Sequence, residues 1–189
     1  MRSRFKLLGH PAHPIMVVFP LAFYPLAAIA EVIYLVLILV GWHNTDKILT
    51  FDTAFFWRAG FLMLVVGWLG QMAASLPGLI DWLNIPNTAA AKDKATFHLI
   101  VAILMGGISF MAILLLNWGE PPTNIFKLPD NIPLLIGVGL NLVVGLLLVN
   151  YQGWLGGELV YRHGIGVEGT DDIDPIAITP SSETRQENV

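Results

Sequence analysis

The stretch His10-Pro11-Ala12-His13-Pro14 sets two imidazoles, each followed by proline, directly before a long apolar run. Imidazole is the side chain best suited to carrying protons near neutral pH and the commonest metal ligand. A residue before proline is pushed into extended or polyproline geometry, which has three residues per turn. The spacing therefore predicts His10 and His13 on one side of a stiff strand, with Pro14 as the first helical residue. Further along, Asp81 ends the second apolar segment, His98 opens the third and His163 closes the fourth, with Glu158 one turn before Arg162. His10, His13, His98, His163, Glu158 and Asp81 together offer nitrogen and oxygen ligands suited to zinc, copper(II) or non-haem iron. Haem b needs only one or two axial imidazoles. For that cofactor the candidates are His13 and His98, with His10 beside them and Arg162 or Lys94 facing the propionates. Asp81 is the candidate acceptor that orients His98. The prediction is that His10, His13 and His98 converge on one site.

Each residue also has a plainer use. His98 would serve as a helix cap or bond Asp81, and His163 would be a solvated helix end before Gly164. Glu158 and Arg162 are spaced for an i,i+4 ion pair. The glycines Gly106-Gly107 and Gly153 to Gly157 suit close helix packing as well as space for a flat macrocycle. His43 reads as loop. A purely structural cluster, tying helix ends together or docking a partner, thus stands beside the two cofactor readings.

The elements that must position these residues follow from composition. The chain has 189 residues, 55% hydrophobic and 13% charged, with a mean hydropathy of +0.67. A soluble domain carries about 25% charged residues. This chain is a membrane protein by composition. It has no cysteine, which excludes disulfides, thiolate-held iron–sulfur clusters and c-type haem. A bilayer core of roughly 30 Å needs about 20 apolar residues in a helix. Four segments qualify, at about residues 14–42, 55–82, 96–118 and 133–163. The fold class is all-α, an integral membrane four-helix bundle running up-down-up-down. Pro20 and Pro25 sit inside the first span, Asn131 reads as a helix start and Gly164 as a helix stop. Trp42, Trp57, Trp82, Trp118, Tyr151 and Trp154 lie where interfacial belts are expected.

The first segment has the flanks of a signal peptide, but its apolar run continues past Ala30 to Val40, so it reads as a retained helix. With four spans both termini share a side. That side holds seven of the ten Lys and Arg residues, which predicts cytoplasmic termini. His10, His13, His98 and His163 all fall on it. Residues 1–167 form the membrane domain. From Glu168 onward the chain carries six acids against one arginine; residues 168–189 are predicted to be a disordered acidic tail. No nucleic-acid footprint is present. Apart from Glu31, no ionisable residue lies deep within a span.

"GHPAHPIMVVFPLA", "GLIDWLNIP" leading through "TAAAKDKATFH", and "GWLGGELVYRHGIGV" resemble the domain-of-unknown-function 2231 family of bacterial membrane proteins over about residues 8 to 168. The resemblance implies a four-helix integral membrane domain. It marks His10, His13, Asp81, His98, Glu158, Tyr161, Arg162 and His163 as the recurrent polar positions. Some relatives are joined to Rieske-type ferredoxin domains, an association with electron transfer. One position departs: Val18 stands where many relatives have histidine.

The expectation is therefore a multi-pass protein of the bacterial inner membrane, in contact with the lipid bilayer and with a redox protein or larger complex. It has a cytoplasm-side histidine cluster and an electron-transfer association. It would carry haem b, a transition metal or no cofactor, as an electron carrier or accessory subunit rather than a stand-alone enzyme.

Overall fold

Among the described residues there are four helices long and apolar enough to cross a membrane: α1 (Ala12–Leu39), α2 (Thr53–Asn84), α3 (Ala91–Leu116) and α4 (Ile132–His163). The structure is a computed structural model that describes residue 3 and residues 5–87, 89–116 and 132–166. Each helix packs on the next and α4 returns to α1, so α1 and α3 are diagonal across an up-down-up-down bundle. Asn131, Trp118 and the acidic tail lie outside the described residues.

Glycines set how closely α1 and α2 approach. An added Cβ at Gly60 would meet Glu31 Cγ at 2.8 Å, one at Gly67 would meet the Tyr24 ring at 3.0 Å, and one at Gly78 would meet His13 Nδ1 at 2.8 Å. Small residues that let helix backbones approach are the usual glue of membrane bundles. Here they fix an antiparallel register that seats His13 against the last turns of α2. Gly145 does the same for α4, lying against the Tyr24 backbone carbonyl and Ala28 Cβ. It belongs to a π-helical stretch, Val143–Leu148, inside α4.

The helix ends differ from the sequence expectation in three places. α1 begins at Ala12, because a hairpin replaces the anticipated polyproline strand. Strands β1 (Lys6–Leu7) and β2 (His10–Pro11) pair antiparallel around a tight turn with Leu8 at φ 51° and Gly9 at φ 84°. α1 then stops at Leu39, before Gly41 at φ 92°, rather than at Trp42. A second hairpin, β3 (Lys47–Ile48) with β4 (Phe51–Asp52), leads into α2, whose start is capped by Asp52 accepting from the Phe55 N–H at 2.7 Å. α3 begins five residues earlier than the apolar run suggested, at Ala91. Gly164 ends α4 as expected, at φ 61° with its N–H on Val160 O, a glycine C-cap.

The core runs along the bundle axis through Tyr24, Tyr34, Trp57, Leu64, Met105 and Val144. Trp57 is a correction to the belt assignment. It is buried and packs on Tyr34 with ring centres 5.3 Å apart. Tyr151 and Trp154 are exposed and stacked on each other, as interfacial aromatics would be.

Candidate functional site

At the end of the bundle where α1 begins, the helices enclose a cavity of about 490 Å³. Its walls are mostly apolar side chains, and into it face His13 from α1, His98 from α3 and Gln152 from α4. Pro14 and Leu21 of α1 and Gly153 and Tyr161 of α4 both line it and are exposed, so its mouth lies in the seam between those helices. Gly153, Gly156 and Gly157 open this space: an added Cβ at any of them would meet nothing closer than 3.5 Å.

His13 and His98 come from diagonal helices, yet their rings meet with centroids 6.2 Å apart and planes at 81°. His13 Nδ1 lies 2.8 Å from Ala74 O. A carbonyl can only accept, so Nδ1 carries a proton, and in the neutral ring Nε2 presents its lone pair. The α1–α2 register, through Gly78, makes this contact possible. His98 is held differently. The Gln152 amide nitrogen lies 3.0 Å from His98 Nε2 and 3.0 Å from His98 O. Two acceptors around one end of the amide assign that end as the nitrogen. His98 Nε2 therefore accepts, and its ring proton sits on Nδ1. His98 Nδ1 and Gln152 Oε1 are both buried and have no hydrogen-bond partner among the described residues. A buried polar group left unpaired costs about 1–3 kcal/mol. Two residues that line the cavity thus carry one unmet donor and one unmet acceptor.

The other anticipated residues are more scattered. His10 is exposed on β2 and does not line the cavity; the turn at Leu8-Gly9 carries it onto the hairpin, away from His13. Asp81 lines the cavity, but both its carboxylate oxygens accept from Ser3 Oγ, at 2.9 and 2.8 Å. The partner that orients His98 is Gln152. Glu158 takes Arg162 at 3.2 Å and Lys94 at 3.6 Å on one oxygen, the ion pair that the i,i+4 spacing allowed. His163 is half-buried at the C-terminus of α4. Among the described residues no three of His, Asp and Glu gather closely enough to hold a metal ion. Of the three histidines expected to converge, His13 and His98 do.

Two features escaped the reading of the sequence. Gln152 is one, although an amide within an apolar run, here "VNYQGW", is a signal for an inward-facing side chain. The second is the partner of Glu31, the ionisable residue already noted within the first span. Glu31 is 1% exposed, and its Oε2 accepts from Asn141 Nδ2 of α4 at 2.9 Å. Between the two clusters Gln71 links three helices, accepting from the Tyr24 hydroxyl and donating to Ala102 O at 2.7 Å.

Against known families, the model described as predicted membrane protein (DUF2231) matches residues 9–169, and the chain belongs to that family. No curated protein and no solved structure matches it.

Proposed function

We propose that this chain is a redox-associated membrane component whose redox ligand is seated in the His13–His98 cavity. The observation that carries this reading is the meeting of two imidazoles from diagonal helices, one of them hydrogen-bonded to a backbone carbonyl, beside an apolar cavity that reaches the bundle surface. The family resemblance adds the association with electron transfer. The lysine and arginine bias supports a cytoplasmic position for this end, and the family resemblance supports a bacterial inner membrane.

Haem b is one form such a ligand could take. His13 and His98, with ring centres 6.2 Å apart, are the residues that would hold it, and its iron would supply one-electron chemistry. His13 already makes the Nδ1–H bond that orients a ligating imidazole. His98 would have to exchange the Gln152 amide for the iron. Lys94 and Arg162, which share Glu158, are the cations available to propionates. A bare metal ion is less well served, since it would need donors beyond these two imidazoles. An accessory-subunit role would use the same polar cluster only as a structural tie, and the unpaired His98 Nδ1 and Gln152 Oε1 argue against so idle a use.

Reduced-minus-oxidised difference spectra of the purified protein, with solvent extraction of what it carries, test the proposal. A redox-active compound should accompany the wild type and be lost from His13→Ala and His98→Ala, with helical content unchanged by circular dichroism. If none co-purifies and neither haem nor a quinol–quinone pair binds when added, the proposal fails.

A further inference from the structure

The geometry points to a quinol, a lipophilic aromatic diol, as the molecule the His13–His98 cavity is built to hold. This names the ligand of the site proposed above and rests on that site being a redox one. His98 Nδ1–H is a donor without a partner, and Gln152 Oε1 an acceptor without one. His13 Nε2 is a second acceptor, because its ring proton is committed to Ala74 O. One donor and two acceptors therefore belong to side chains that line a single apolar space.

A hydroxyl is the group that both accepts from one neighbour and donates to another. Seated here, the hydroxyls of a diol would accept from His98 Nδ1–H and donate to Gln152 Oε1 or His13 Nε2. A quinone carbonyl accepts only, so it would satisfy His98 and leave both acceptors unmet. A carboxylate would bring its oxygens against two lone pairs with one donor to compensate. The site thus favours the reduced, hydroxyl-bearing form of a quinone couple. Its other dimensions agree. Pockets for small molecules span roughly 300–1,000 Å³, and this one is about 490 Å³. Pro20, Trp82 and Met105 supply apolar walls for a ring. Exposed lining residues of α1 and α4, Pro14 and Tyr161 among them, give an aliphatic tail a way out into lipid, so the cavity need hold only the head.

The test uses the full-length protein in detergent, a decyl-substituted benzoquinol and the corresponding quinone, with binding followed anaerobically by quenching of tryptophan fluorescence. The quinol should bind about tenfold or more tighter than the quinone, as expected for one buried acceptor left unmet. Gln152→Leu and His13→Phe should each weaken the quinol more than the quinone and shrink that ratio, while His98→Phe should weaken both. The wild-type ratio needs no variant and stands even if a substitution unfolds the protein. Equal or tighter binding of the quinone overturns the inference. A b-type haem spectrum without quinol binding also overturns it and leaves the redox-site proposal standing. Absence of haem, quinol and quinone alike overturns both.

Discussion

The bundle contains two buried polar clusters in which glycine is used in opposite ways. Around Glu31 and Asn141, Gly60 and Gly145 remove side chains so that backbones can touch: an added Cβ would lie 2.8 Å from Glu31 Cγ and 2.6 Å from Tyr24 O. Around His13 and His98, the α4 glycines remove side chains and nothing fills the space, so a Cβ at Gly156 would lie an ordinary 3.5 Å from His98 Cε1. Both clusters keep unpaired polar atoms. Glu31 Oε1 and Asn141 Oδ1 match His98 Nδ1 and Gln152 Oε1 in that respect. Of these four residues only His98 and Gln152 line the cavity described above. The residue types alone do not separate a tight packing site from a ligand site; what the missing Cβ would have met does.

Substitutions at the glycines should break this comparison most visibly. Gly145→Ala forces a Cβ against a backbone oxygen that cannot yield, and overpacking of this kind costs about 1–3 kcal/mol. Thermal unfolding in detergent should show a clear loss of stability. Gly156→Ala should unfold like the wild type and lose ligand capacity instead. Matching melting curves for the two variants would erase the distinction between closure and space.

Next in size is Asn141→Leu, which strands Glu31 in the bundle without its one described donor and should cost about 1–3 kcal/mol. The double variant Glu31→Met/Asn141→Leu should recover much of it, because removing both partners avoids the unmet group. Neither should alter ligand binding, since Glu31 stands eighteen residues from His13, about 27 Å along α1 at 1.5 Å per residue. A change in affinity there would show that the two clusters are coupled.

Gln152→Leu should reverse that pattern, with a stability change near 1 kcal/mol and a larger fall in ligand affinity. Equal effects on both would make Gln152 a structural tie only. Smallest of all is Ser3→Ala. It removes the hydroxyl on Asp81 at the half-buried rim of the cavity and should shift unfolding by less than about 1 kcal/mol, with binding intact.

The four helices were legible because a bilayer demands long apolar runs and the chain has four. The meeting of His13 with His98 followed from topology, since both residues stand at the same end of helices that an up-down bundle sets diagonally. The hairpin at Leu8-Gly9 was not legible. Prolines at 11 and 14 argued locally for an extended strand, and a non-glycine residue at φ 51° is a weak turn signal. Gln152 was missed for a different reason. Its place beside His98 depends on the register of α4 against α3, which hydropathy does not fix. The same holds for Ser3 and Asp81, 78 residues apart, and for Trp57, whose position near a helix end suggested an interface while its neighbour Tyr34 buries it.

The account stands on the protonation pattern of two rings, and nitrogen-15 NMR of the imidazoles reads that pattern directly. In the ligand-free protein, His13 and His98, assigned by comparison with His13→Phe and His98→Phe, should both carry their proton on Nδ1 with Nε2 unprotonated. Added quinol should then move His98 Nδ1 and His13 Nε2 while leaving His43, in the far loop, unchanged. Two Nε2–H tautomers, with no response at either ring to any redox ligand, would contradict it.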